Sequence, residues 1–359
     1  MKKKVLHIVE AFGGGVYTFM EALANGICDE YEVTVAYARR NQTPEHFEQD
    51  FLPQIRFIEV KNFMRSINPV KDFKAMLELK KIVKEVNPDV IHLHSSKAGV
   101  LGRLAINCRK YKVYYTPHGY SFLKQDDSKL KRFIYEKIEW LSAKFGGTIV
   151  AVSKGEYEAS LKLTKKACYI NNGIDMDYLS KMLDKQVLSE EKPTIEPLKV
   201  GTIGRICYQK NPEFFNQVAK NFPDIPFVWV GEGEMRDCLD SPNIQITGWK
   251  ERPETIKLLN EMDIFLLPSL WEGLPISLLE AMYLKKACIV TDVIGNRDVI
   301  VNGVNGFIGQ NEEEFAAIIQ KMLNKEIDLE EIGQAAFADV QREYNTKVMV
   351  QKYKELYSV

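Results

Sequence analysis

Short β-branched apolar runs alternate with longer stretches whose apolar residues recur at helical spacing, from one end of the chain to the other. A strand covered on both faces reads as a continuous apolar run, and strands alternating with helices predict parallel sheets between helical layers. In the first half the predicted strands are Val5–Val9, Glu32–Ala36, Ile55–Glu59, Val90–His94, Val113–Thr116 and Thr148–Val152, with helices over Tyr17–Cys28, Val70–Val86 and Lys129–Phe145. The pattern restarts with Lys199–Ile203, Pro226–Val230, Ile244–Thr247, Ile264–Pro268 and Ala287–Thr291. Between the two series, residues 180–198 (SKMLDKQVLSEEKPTIEPL) hold two prolines, many charges and no apolar period, as a linker does. A last helix over Thr346–Tyr357 fits either series. The expected architecture is α/β, with two doubly wound units.

Length agrees, since 359 residues make about two domains at roughly 150 residues each. Apolar residues are 45% and charged residues 27%, enough for two cores and too apolar for a disordered chain. The net charge of -1 argues against a general nucleic-acid binder. It conceals a gradient: residues 1–172 carry +9 and residues 173–359 carry -10, which suggests domains with different partners. The six cysteines form no CxxC pair and read as reduced thiols of a cytoplasmic protein. The opening MKKKVLHIVEAFGGG has too few apolar residues for a signal peptide and reads as a strand. No stretch approaches the ~18 apolar residues of a membrane span, so membrane contact would be peripheral.

Three segments carry candidate chemistry. Gly13-Gly14-Gly15 follows the first strand and offers backbone amides to a phosphate at a helix start. A dinucleotide site would need GxGxxG and an acidic residue after the second strand, where this chain has Arg39 and Arg40. Arg205 and Lys210 flank the loop from Gly204 to Pro212, where two cations suit a diphosphate. The third segment, Asp263–Met282, runs from a strand through Glu272-Gly273-Leu274-Pro275-Ile276 into a helix carrying Glu280 about 7 to 8 Å along its axis. Carboxylates suit vicinal diols because each accepts two hydrogen bonds, and Glu280 stands in an apolar run where an unpaired charge is costly.

Glu272-x7-Glu280, the GR…KN segment Gly204–Asn211, Val230-Gly231-Glu232-Gly233, Asn172-Gly173-Ile174-Asp175 and the opening glycine turn together resemble the retaining glycosyltransferases of family 4, of the bacterial capsular, exopolysaccharide and lipopolysaccharide type. The resemblance spans nearly the whole chain. It implies a GT-B fold of two facing Rossmann-like domains: 1–179 for the acceptor, a linker over 180–198, 199–341 for the donor, and a terminal helix over 342–359 returning to the first. It further implies transfer of a hexose-type sugar from a nucleotide diphosphate sugar, UDP before other bases, to a hydroxyl of a lipid-linked or other glycan, without cofactor or metal. Arg205 and Lys210 would hold the diphosphate, Glu280 the ribose, and Glu272 with the Gly273, Leu274, Pro275 and Ile276 backbone the sugar. Gly14, Gly15, Asn172 and Gly173 would also line the donor site, and His118 of Pro117-His118-Gly119 would stand at the anomeric carbon. Asn171 occupies a position where the family often has Pro.

Other features carry competing readings. His92 and His94 share one strand face at a chelating spacing, but with no third ligand evident they read as strand-end histidines. Asp175-Met176-Asp177 imitates a DxD metal motif while trailing the NNGID turn. Lys129–Phe145 interleaves basic and aromatic residues, suiting either anionic lipid or a core-facing helix. The alternatives to a retaining enzyme are a nucleotide-sugar-binding or scaffold protein without turnover, and an inverting enzyme with Asp126 or Asp127 as base.

Overall fold

The computed structural model describes residues 2–64, 66–125, 127–183 and 198–358, so most of the expected linker, 184–197, lies outside the described residues. The chain forms two compact units, residues 1–173 with 346–359, and residues 174–345.

The first unit runs β1 (Lys3–Phe12), α1 (Gly14–Ile27), β2 (Tyr31–Arg39), β3 (Arg56–Glu59), α2 (Pro69–Val86), β4 (Val90–His94), α3 (Ser96–Ala105), β5 (Lys112–Thr116), α4 (Lys129–Ala143), β6 (Thr148–Ala151), α5 (Lys154–Leu161) and β7 (Ala167–Tyr169). The second runs α6 (Met176–Met182), β8 (Val200–Ile203), α7 (Pro212–Lys220), β9 (Phe227–Val230), β10 (Ile244–Ile246), α8 (Arg252–Glu261), β11 (Ile264–Leu267), α9 (Ile276–Tyr283), β12 (Ala287–Thr291), β13 (Phe307–Gly309), α10 (Glu312–Leu323) and α11 (Leu329–Glu343). The chain then returns as α12 (Thr346–Ser358) to the first unit.

All pairings between these strands are parallel, in the orders β3-β2-β1-β4-β5-β6-β7 and β10-β9-β8-β11-β12-β13. Two three-residue edge strands, β7 and β13, were not expected. The order reverses between β1 and β4 and between β8 and β11, the switch points where open α/β sheets bind ligands at their strand ends. The glycine turn follows β1 and the Arg205–Lys210 loop follows β8.

Burial explains the uninterrupted apolar runs: Val5, Leu6, Ile8 and Val9 of β1 are all 0% exposed because helices cover both faces. One face packs against α1 and α12, which supply Phe19, Met349, Tyr353 and Tyr357, and the other against α2 and α3. Local signals set the helix ends. In α2 the Asn68 side chain accepts from the Lys71 amide, Pro69 opens the first turn and Asn87 closes it at φ 46°. In α6 the Asp175 carboxylate accepts from the Tyr178 amide at 2.9 Å, so this member of the DxD look-alike caps a helix. Among the described residues, no helix is long and apolar enough to cross a membrane.

Candidate active site

In the second unit three loops leave neighbouring strand ends and are pressed backbone to backbone. Gly231, at φ 148°, lies where a Cβ would sit 2.1 Å from Gly204 O, an oxygen that also accepts from Trp229 Nε1 at 2.8 Å. A side chain at Gly233 would meet Ile206 O at 2.1 Å. These glycines bring the loop after β9 against the loop after β8.

That packing aims the two cations differently. Lys210 Nζ is 2.6 Å from Glu272 Oε1, and both side chains are largely buried. Gln209 fastens the same junction, donating to Trp271 O at 2.9 Å and accepting at its own carbonyl from the Leu270 amide at 2.9 Å. Arg205 instead turns to Glu234, with Nε and Nη2 at 3.0 and 2.8 Å from Oε2, in a more exposed pair. The two cations expected to share one anion are thus each balanced by a separate carboxylate.

Gly273, Leu274, Pro275 and Ile276 are buried and lead into α9, whose first turn has neither an acidic residue nor a side-chain cap. Gly295, which sequence reasoning missed, supports this loop: at φ 86° it lies where a Cβ would be 2.5 Å from Gly273 O. Glu280 sits on α9, 4% exposed, with Oε1 2.7 Å from Arg252 Nη2. Burial pushes its pKa up, and Arg252 pulls it part of the way back. Arg252, also unforeseen, lies 5.2 Å over the Tyr178 ring.

The remaining expected residues belong to the first unit. Gly14 and Gly15 are exposed at the start of α1, Gly14 at φ 55° with open space beyond it and no acidic residue in the first turn. Asn172 is buried and its amide donates to Val152 O at 3.3 Å, with Gly173 the last residue of the unit's main segment. His118 follows β5 at φ 53°. Its turn is held by buried Glu156, whose Oε1 accepts from the Gly119 amide at 2.6 Å and whose Oε2 accepts from Val152 N at 2.8 Å. The signal was available: Ser153-x-x-Glu156 is a capping pattern, and Ser153 Oγ accepts from Glu156 N at 3.2 Å.

For His92 and His94, on β4, one point is corrected: a third histidine does lie beside them, His7 on β1, and all three are wholly buried. Parallel register sets His7 beside His92, and ring nitrogens of His7, His92 and His94 lie within 4.8 Å of one another. Hydrogen bonds account for five of their six ring nitrogens. His7 Nδ1 and His94 Nε2 are 3.0 Å apart, His94 Nδ1 and His118 Nε2 are 3.1 Å apart, and His92 contacts Tyr357 OH at 2.5 Å and Thr116 Oγ1 at 2.8 Å. Burial pushes His7 and His118 down to about 3, and His92 and His94 well below their usual value.

Comparison with known proteins adds identity to this geometry. The Glycosyltransferase Family 4 model matches residues 13–178, and the model for glycosyl transferases group 1 matches residues 184–339. The chain is 31% identical over 279 residues to the UDP-Gal:alpha-D-GlcNAc-diphosphoundecaprenol alpha-1,3-galactosyltransferase of Escherichia coli, covering 71% of this chain and 70% of that one. It is 28% identical over 371 residues to the N,N'-diacetylbacillosaminyl-diphospho-undecaprenol alpha-1,3-N-acetylgalactosaminyltransferase of Campylobacter jejuni, covering 96% of each. Anabaena HepE, solved in complex with UDP and glucose, has a TM-score of 0.77 at 17% identity and 99% coverage of both chains. With two Rossmann-like parallel-sheet units and these matches along its length, the chain belongs to glycosyltransferase family 4 and has the GT-B fold.

Proposed function

We propose that the protein is a retaining glycosyltransferase that moves a hexose-type sugar from a UDP-sugar to a hydroxyl of a lipid-linked glycan during synthesis of a cell-surface polysaccharide. The observation that carries this reading is the contact between Lys210 and Glu272 at the strand ends of the second sheet. It joins a cation suited to a diphosphate with a carboxylate suited to sugar hydroxyls, immediately before the uncapped start of α9. The names of the E. coli and C. jejuni relatives support a diphosphoundecaprenol-linked acceptor, and UDP-Gal in the first name, with UDP in HepE, supports the donor.

In this reading residues 199–341 hold the donor and 1–179 serve the acceptor, with Gly14, Gly15, Asn172 and Gly173 contributing to donor binding and His118 to the sugar. As the sugar–phosphate bond breaks, negative charge grows on the leaving diphosphate, where Arg205, Lys210 and the α9 amides stabilise it more than in the ground state. Glu280 holds the ribose, Glu272 the sugar hydroxyls. A leaving phosphate oxygen takes the acceptor's proton on the face the phosphate leaves, so configuration is retained. The two cations take the part of a divalent ion. Asp127 already pairs with Lys131, which weakens the case for it as an inverting base, and Asp126 lies outside the described residues.

Contact with the inner face of an anionic membrane belongs to the same proposal. On α4 the buried residues are Glu139 and Ser142, while Leu130, Phe133, Ile134, Trp140 and Leu141 are exposed among lysines. The core-facing alternative for these aromatics is not what the helix presents. An outward apolar face ringed by basic residues suits anionic lipid.

Thermal shift with UDP, GDP and dTDP sugars identifies the donor. Release of UDP from the donor without acceptor separates an enzyme from a nucleotide-sugar-binding protein, and NMR of the product's anomeric proton separates retention from inversion. A chelator is expected to leave turnover unchanged. Loss restored by a divalent ion alone overturns the metal-free part of the reading.

A further inference from the structure

Four of the five histidines, all but His46, cluster in the first unit, His92 hydrogen-bonded to Tyr357 and Thr116, and His7, His94 and His118 hydrogen-bonded to one another. Thr116 donates its hydroxyl proton to Val150 O at 2.8 Å, so it accepts from His92, whose Nε2 carries the hydrogen. His92 Nδ1 is then bare and accepts from the Tyr357 hydroxyl.

The remaining three rings form a row, His7 to His94 to His118, with two possible directions. If each ring donates from Nδ1 toward His118, the atom left over is a bare nitrogen, His7 Nε2, which is buried with no partner among the described residues. If each donates the other way, His7 Nε2 carries a buried N–H with no acceptor among the described residues. Buried N–H groups without acceptors are rarer than under-used acceptor atoms, so the row runs outward. We infer that His94, backed by His7, is a positioning residue that donates from Nδ1 to His118 Nε2 and so compels His118 to carry its hydrogen on Nδ1, as a hydrogen-bond donor and never a base. Burial, which lowers the pKa of all four rings, agrees, with the Phe19 ring 4.8 Å from that of His118. The inference rests on the proposed role of His118 in sugar transfer, and it gives that residue the character of a donor to a substrate oxygen.

The test begins with the full chain labelled on histidine nitrogen, where two-bond proton–nitrogen spectra at neutral pH show only five rings. His7, His94 and His118 are expected as Nδ1–H tautomers and His92 as Nε2–H, each assigned by the signal its own substitution removes. His118 found as Nε2–H, or as imidazolium, overturns the inference. His94→Leu is expected to lower kcat about 10-fold with donor KM nearly unchanged, and His94→Asn, which keeps an N–H near the Nδ1 position, to restore most of it. Equal activity in the two variants, with the His118 tautomer unchanged, also overturns it. If His94→Leu does not fold, the wild-type spectrum decides alone. Normal turnover in His118→Ala would remove the role of His118 while leaving the tautomer result standing, so the two failures are distinguishable.

Discussion

Lys210 Nζ stands 2.6 Å from Glu272 Oε1, with the side chains 17% and 8% exposed, whereas Arg205 meets Glu234 with 31% and 54% exposed. Two cations with similar proposed work therefore sit in unlike surroundings, and their removal should differ in stability more than in rate.

Arg205→Ala is expected to lower turnover by about 100-fold, on the order of 3 kcal/mol of transition-state stabilisation, with an unchanged urea midpoint. Lys210→Ala should match that fall and also destabilise the fold by roughly 3 kcal/mol, because Glu272 keeps a buried charge without its partner. Donor-dependent UDP release and urea unfolding check both. Near-normal turnover in both variants removes the diphosphate clamp.

Glu280 is buried strongly enough that its pKa is raised despite Arg252. The stability it contributes when protonated is present at low pH and is lost as pH rises through the folded-state pKa. Glu280→Gln stays neutral throughout, so its stability relative to wild type should be higher at pH 7 than at pH 4. Urea midpoints at the two values read this directly. The same variant should bind donor about 10-fold more weakly with kcat little changed, since a ribose contact alters little as the sugar leaves.

On α4, changing Lys129, Lys131 and Lys137 to Glu should weaken co-sedimentation with anionic vesicles by on the order of 100-fold, at about 1 kcal/mol per basic residue. Wild-type binding should fall steeply with salt, given a Debye length of about 8 Å at physiological strength. Donor-induced thermal shift should survive, because the proposed diphosphate and ribose contacts belong to the second unit. Equal binding to neutral vesicles would make this helix an ordinary solvated surface.

The same helix is anchored by charge. Arg103 donates to Glu139 Oε2 at 2.8 Å and Tyr115 donates its hydroxyl to Oε1 at 2.8 Å, with the ion-pair side chains 1% and 3% exposed. Glu139→Ala should cost roughly 3 to 5 kcal/mol by leaving the Arg103 guanidinium buried alone, and Arg103→Met with Glu139→Leu should recover most of it. Urea unfolding of the three chains decides.

Much of the candidate site was legible because its signals are local. Glu272 and Glu280 lie on one loop and the helix it enters, and Arg205 and Lys210 flank one turn, so spacing alone places each pair near a strand end. Arg252 was not legible as the partner of Glu280, nor Glu234 as that of Arg205, because one pair joins α8 to α9 and the other joins two separate loops. His7 is 85 residues from His92, and only the parallel register of β1 with β4 sets them side by side.

The order of strands and helices, the positions of the strand-end loops and the family were determined by the sequence itself, since apolar periodicity, glycine turns and motif spacing are properties of neighbouring residues. Tertiary structure alone decided which face of α4 turns inward. Periodicity identifies an apolar face, but Arg103 and Tyr115, from α3 and β5, bind Glu139 and turn that face outward. The return of α12 to the first unit was implied by the resemblance, but only the tertiary structure gives its contacts, with Tyr357 reaching His92 across 265 residues. Such contacts depend on how distant segments share one core, and no local pattern encodes that choice.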